Sequence, residues 1–225
     1  MRNKEVVITG AQGTIGSVLS NGLRDVHITP VDLPEVDIRR YEQLVPFLKD
    51  KDAIIHLAWN TNAENSNNKG LDPGNTNMFV NVYRACLEND IPRVIVASSV
   101  HADNYYRFFH DHGEGELMSP NVIYYVETDS PYGKHKRELE EEGRKRAKQG
   151  LEVICIRFGG VNPQNVPSQK DEVQPAVWLS HADCVGLVEH CLGAEKVPDN
   201  FVIVYGVSNN ARRIHDTSNP FGWKP

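Results

Sequence analysis

Short, unbroken apolar runs alternate along this chain with longer stretches whose apolar residues recur every three or four positions. The runs are Val6 to Thr9, Val26 to Val31, Ala53 to Ala58 (AIIHLA), Val94 to Ser98, Glu152 to Phe158 (EVICIRF) and Phe201 to Tyr205. Continuous β-branched character of this length suits strands buried on both faces. Helical spacing follows in Ile15, Val18, Leu19 and Leu23, and in Tyr41 to Leu48 with Leu44, Val45 and Leu48 turned inward. It recurs in Asn75 to Asn89 and in a highly charged stretch from Pro131 to about Gln149. A last helix starts at Ser180, an N-cap with Asp183 three residues on, and runs through Val188 to Cys191. Strands alternating with helices predict an α/β protein with a Rossmann-type doubly wound parallel sheet. The chain shows no repeat and no linker, so residues 1–225 are expected to form one domain, with about 159–225 supplying a small substrate-binding part. The Asn- and Gly-rich segment 62–74 reads as a mobile loop, and 100–131 as irregular.

The first strand runs straight into three glycines at three-residue spacing, Gly10, Gly13 and Gly16, in TGAQGTIG. Gly10 can take the positive φ of a tight turn, Gly13 leaves room for a pyrophosphate against the backbone, and Gly16 lets the helix approach the strand. The N–H groups of that helix's first turn, around Gln12, Thr14 and Ile15, would then hold an anion. The second run ends in Asp32, 22 residues beyond Gly10, the spacing at which a carboxylate accepts from both hydroxyls of an adenosine ribose and repels a 2′-phosphate. NAD is therefore expected over NADP. Four residues separate Asp32 from Asp37, too few for a crossover helix; Asp37 and Ile38 are expected at the adenine. Leu57, Ala58, Trp59 and Asn60 close the third strand, where ligands collect in such sheets.

A net charge of −6 argues against a nucleic-acid surface. No run reaches membrane-spanning length, and MRNKEVVITG passes directly into a core strand without a signal-peptide segment. Cys86, Cys155, Cys184 and Cys191 show no CxxC pairing and read as reduced, buried thiols of a cytoplasmic protein. His110-Asp111-His112 invites a metal, but lacks a helical or hairpin frame and a cysteine partner; no metal is expected.

Three polar groups should meet at the strand ends: Ser99, Tyr132 and Lys136. Tyr132 and Lys136 lie four apart, on one face of a helix. A free phenol, with pKa about 10, is a poor base at neutral pH. A neighbouring ammonium and a bound nicotinamide would favour phenolate, and a drop of about two units needs only about 3 kcal/mol. Tyrosinate could then take a proton from a substrate hydroxyl as hydride leaves the carbon, with Ser99 holding the same oxygen. Val100 follows Ser99, and Gly159-Gly160 open another ligand loop.

TGAQGTIG, Asp32, Asp37, HLA (His56 to Ala58), Asn75 with Asn81, ASS (Ala97 to Ser99) and YGKHK (Tyr132 to Lys136) together resemble the extended short-chain dehydrogenase/reductases of the NAD-dependent epimerase/dehydratase family. The resemblance implies a Ser-Tyr-Lys catalytic group, Asn75 near the cofactor, and homodimers packed through helices around 76–89 and 133–149. Within the family, ASSVH, VWLSHADC, VYGVSNNARR and GWKP are similar to sugar dehydrogenases that turn a cyclic hemiacetal into a lactone. That likeness implies a sugar substrate contacted by His101 and Asn162. Members acting on uronates carry an arginine where this chain reads DEVQPAVW, so an aldose or sugar phosphate is equally expected, with Lys170, Arg107, Arg212 or Arg213 as phosphate partners. Met78 would narrow the site, and an end at GWKP would trim the substrate lid. Two alternatives stay open: a nucleotide-sugar epimerase or dehydratase, for which the 65 residues after Gly160 are short, and a non-catalytic dinucleotide sensor.

Overall fold

The structure is a computed structural model that describes residues 3–60, 72–112, 115–120, 127–128 and 130–225. Six strands, β1 (Lys4–Thr9), β2 (Val26–Val31), β3 (Ala53–His56), β4 (Arg93–Ser99), β5 (Glu152–Phe158) and β6 (Phe201–Gly206), form one parallel sheet in the order β2-β1-β3-β4-β5-β6. The helices are α1 (Thr14–Gly22), α2 (Tyr41–Leu44), α3 (Pro73–Glu88), α4 (Tyr105–Asp111), α5 (Pro131–Ala147) and α6 (His181–Gly193).

Strand side chains alternate between two cores, as the pleat requires. Val7, Ile54, Val94, Val96 and Val153 pack on one face against Leu44, Phe79, Val82, Tyr83 and Leu139 of α2, α3 and α5. Val6, Ile8, Ile55, Ile95 and Ile154 pack on the other against Leu19, Leu187, Val188 and Cys191 of α1 and α6. Both faces are covered, which is why the runs read as continuous. The helix starts are fixed by side-chain caps: Asp72 Oδ1 accepts from Gly74 N (2.8 Å), Ser130 Oγ from Gly133 N (3.2 Å) and Ser180 Oγ from Asp183 N (3.0 Å). Pro73 and Pro131 occupy first-turn positions that need no N–H.

Three expectations change. The helix from Tyr41 stops at Leu44 and tightens into a 3₁₀ turn, Val45–Phe47, because Pro46 has no N–H to continue it. Val45 is thereby turned out, 38 % exposed. The run AIIHLA is strand only to His56; Leu57 N still donates to Thr9 O (3.0 Å), and the chain then leaves the ladder. Residues 100–112 are not irregular: a 3₁₀ turn, Val100–Ala102, leads into α4. Asn104 caps that helix through Arg107 N (3.1 Å), and Tyr105, Phe108 and Phe109 form its inward stripe. Residues 62–71 of the Asn-rich segment lie outside the described residues. The missing crossover helix is confirmed: Asp32 to Asp37 is turned backbone, with Val36 N on Asp32 O (2.9 Å).

A third core caps the C-terminal ends of β4 to β6. Val100, Tyr105, Phe108 and Met118 meet Val173, Val177, Tyr205 and Ile214 there, so residues 100–118 build this lobe as much as those after 159. All four cysteines are free and buried, burial pushing Cys86, Cys155, Cys184 and Cys191 up from the ordinary thiol range. No described helix is long and apolar enough to cross a membrane.

Two fully enclosed histidines make the fold sensitive to acid. His56 Nδ1 pairs with Thr9 Oγ1 at 2.8 Å, while His56 Nε2 and both nitrogens of His215 are buried without a partner among the described residues. Burial, helped by nearby Lys136 for His56 and Arg157 for His215, lowers each imidazole to about 3. Between that value and the ordinary ~6.5 the unfolded chain holds more protons, so stability rises with pH and is lost as pH falls through the window. Each histidine contributes a slope of up to about 1.4 kcal/mol per pH unit. In urea unfolding followed from pH 7 to pH 4, His215→Leu is expected to remove its share of that slope; an unchanged slope would refute the assignment.

Candidate active site

The sheet order reverses between β1 and β3, and the site forms over the C-terminal strand ends there. Gly10 turns the chain out of β1 with φ +72°, and a Cβ on it would sit 2.6 Å from Ala58 N. Gly16 is pressed against the Gly10 carbonyl oxygen, whereas Gly13 would meet nothing nearer than Gly10 O at 3.3 Å and stays exposed. The open glycine thus faces the groove and the two crowded ones shape it, which fits a pyrophosphate laid on the start of α1. Asp32 is held by two backbone donors, Gln12 N (2.7 Å) and Leu33 N (2.8 Å). The groove, about 390 Å³, is lined by Gly10, Gly13, Asp32, Asp37, Ile38, Leu57, Ala58, Trp59 and Asn60, with Met78 in its wall. A larger hollow of about 650 Å³ lies between α1 and α6 and takes in Gln12 and Thr14; only the groove includes Trp59, which touches the catalytic candidates. Ile15 packs partly buried against the α1 core.

Several clamps escaped sequence reasoning. Asp37 is paired bidentately with Arg39 (both contacts 2.7 Å), and that hydrogen-bonded guanidinium holds its carboxyl below the ordinary range. Asn81 Nδ2 donates to Ile38 O (2.9 Å) and Arg39 O (3.0 Å), fixing the same corner from α3. Asn75 is buried, and its amide bonds the Asn60 backbone at N (2.7 Å) and O (3.4 Å). It fixes the backbone of Asn60, which lines the groove.

Ser99, Tyr132 and Lys136 do converge. Ser99 lies beside Tyr132, close enough to oppose the upward shift of its phenol, and Ser99 Oγ accepts from His101 N (3.2 Å). Lys136 is buried, its Nζ donating to Ala97 O at 2.7 Å and lying 3.4 Å from the Trp59 ring centroid and 5.6 Å from that of Tyr132. Tyr132 is 37 % exposed. Burial pushes its phenol up, and Ser99 opposes the shift. The Lys136 ammonium faces Ala97 O and the Trp59 indole. Burial brings Lys136 itself down to about 7.

His101 stands beside the trio, its ring 5.7 Å from Tyr132 and 5.0 Å from Tyr105, and burial lowers it, keeping it neutral. Val100 is buried in the third core, so only its backbone can line the site. Gly160 is exposed, tied by its backbone to Val177 and Leu179. Asn162 is held within its own loop: both its amide atoms bond Val166 (2.7 and 3.4 Å), and its carbonyl pairs with His181 Nε2. A residue opening a loop spends its amide locally. Of the named phosphate partners, Arg107 pairs with Asp111 and Arg212 with Glu172 (both 3.0 Å). No metal-binding cluster exists among the described residues, so His110 and His112 form no such site there.

The start of α5 is seated by Gly133, whose Cβ would strike His101 O and come within 2.5 Å of Thr128 Oγ1; Thr128 in turn donates to His101 O (2.9 Å). Gly133→Ala is expected to push Tyr132 away from Ser99. Overpacking of this kind costs about 1–3 kcal/mol, and a displacement of about 1 Å costs about 10²-fold in rate. Turnover measured beside the melting temperature checks this; unchanged turnover would refute the seat.

These features define a dinucleotide-binding Rossmann protein with a Ser-Tyr-Lys constellation at its switch point. The chain belongs to the NAD dependent epimerase/dehydratase family, whose model matches residues 6–174. The chain is similar to L-arabinose 1-dehydrogenase (NAD(P)(+)) of Haloferax volcanii, 28 % identical over 98 % of this chain and 95 % of that protein. It is also similar to uronate dehydrogenase of Pseudomonas putida, 27 % identical over 91 % of this chain and 76 % of that one. In fold it matches the crystal structure of uronate dehydrogenase from Agrobacterium tumefaciens, with TM-score 0.76 and 23 % identity over 100 % and 85 % of the two chains.

Proposed function

We propose that the protein oxidises a sugar at C1 to a lactone with NAD, acting in the cytoplasm as a homodimer. The observation that carries this reading is the gathering of Tyr132, the buried Lys136 one helical turn on and Trp59 of the groove wall, with Ser99 beside the phenol. NAD, when bound, supplies the hydride acceptor. Tyr132 takes the proton of the C1 hydroxyl on its phenolic oxygen. Ser99 Oγ holds the same substrate oxygen and keeps it aligned. Lys136 supplies the positive charge that favours phenolate once the site is closed to water, and neutral His101 offers a ring nitrogen to a sugar hydroxyl. Asp32, already oriented by two N–H groups, accepts from the ribose.

The test is a screen of aldoses, uronates and sugar phosphates with NAD and NADP, followed by NADH absorbance. Net reduction with at least one sugar, and preference for NAD, are expected. Turnover of a nucleotide sugar without net NADH would instead favour an epimerase.

A further inference from the structure

Lys136 has little of its ammonium left to offer a ligand. One N–H is spent on Ala97 O (2.7 Å), and the indole of Trp59 lies across the next face with its centroid 3.4 Å from Nζ. An ammonium this enclosed needs compensating partners, and a π face supplies one at moderate strength. Trp59 itself sits at the end of β3, in the wall of the groove. It is held there by edge contacts to Tyr132 (6.0 Å) and His135 (4.8 Å), with no hydrogen bond from its indole nitrogen among the described residues. The same ring therefore covers the catalytic lysine and borders the space the cofactor enters. A ligand hydroxyl and the indole cannot both occupy that face of the ammonium.

We propose that Trp59 is a positioning residue: in the free protein its indole holds and shields the Lys136 ammonium, and dinucleotide binding displaces it. This rests on the role given to Lys136 above. The indole leaves by side-chain rotation, and binding works against the contact it breaks. Shortening the side chain should therefore strengthen binding, the opposite of what a simple cofactor contact would do. A phenyl ring keeps a weaker π face and should fall between.

The experiment is a calorimetric titration of the intact protein with NAD, for wild type, Trp59→Phe and Trp59→Ala, with tryptophan emission recorded in parallel. Wild-type emission is expected to change saturably with the calorimetric midpoint. That change should vanish in Trp59→Phe, because Trp178 and Trp223 are buried elsewhere. Trp59→Ala is expected to bind NAD about three- to tenfold tighter, the size of one partly desolvated cation–π contact, with Trp59→Phe intermediate. Equal or weaker binding by Trp59→Ala, or flat wild-type emission across a saturating titration, would overturn the proposal. No binding heat in wild type would overturn it together with the cofactor assignment. A protein that binds NAD yet oxidises no sugar would sink the proposed function alone, and the Trp59 titration would still decide this point.

Discussion

Tyr132→Phe is expected to lower turnover by about 10²–10⁴-fold, the usual contribution of a positioned proton acceptor, while NAD binding and melting temperature stay near wild type. The substitution deletes one oxygen from a residue that already leaves 37 % of its surface open, so little packing is lost. What goes is the hydroxyl proposed to receive the substrate proton. The phenol is held up by burial in the free protein, so its activation has to come with the ligands, through the nicotinamide charge and the Lys136 ammonium. Activity should accordingly rise with pH through an acidic limb that belongs to the coupled Tyr132–Lys136 pair. Steady-state rates with NAD and the best sugar of the screen, beside a calorimetric NAD titration, check both halves. A Phe variant that keeps more than a tenth of the wild-type rate would remove Tyr132 from the chemistry.

Arg157→Met is expected to destabilise the fold by about 3–5 kcal/mol, the cost of leaving buried charges without their partner. Arg157 is 2 % exposed. Its guanidinium binds Glu140 at both carboxylate oxygens (2.8 Å each), Asp103 (2.5 Å) and the Tyr205 hydroxyl (3.2 Å). Asp103 also accepts from Tyr205 (2.7 Å) and Arg137 (3.4 Å), and Glu140 from Ser98 (2.5 Å). The network ties α5, which carries Tyr132 and Lys136, to the end of β4 and the turn that follows, which carry Ser99 and His101, through strands β5 and β6. Removing its hub takes from two buried carboxylates the guanidinium they share. For a domain of this size the loss corresponds to a melting temperature lower by about 6–20 °C. Calorimetric melts measure it, and a fall of less than about 2 °C would show the network to be dispensable. Met is chosen because it fills the volume, so that the result reports on charge and not on a cavity.

The hydrophobic pattern by itself determined the strand and helix order, because a strand covered on both faces must be apolar at every position. It also determined the glycine turn, where a Cβ at Gly10 would sit 2.6 Å from Ala58 N, and the order Ser99, Tyr132, Lys136, since one helical turn brings residues four apart onto the same face. Other features had partial signals. An arginine inside EVICIRF was visible as an ion in a core strand, but its partners Asp103 and Glu140 lie 54 and 17 residues away, and nothing local names them. The stripe of Tyr105, Phe108 and Phe109 carries helical spacing inside a stretch whose polar surroundings otherwise read as irregular.

Only the tertiary structure decided which way polar side chains spend their hydrogen bonds. Asn75 turned to the Asn60 backbone, Asn162 to its own loop, and Lys136 to Ala97 O and an indole that departs from the sheet one strand away. Periodicity reports which face of an element is buried. It carries no information on what a buried polar group meets there, because that depends on atoms brought together by strand order and helix seating, such as the approach of Gly133 to the His101 carbonyl.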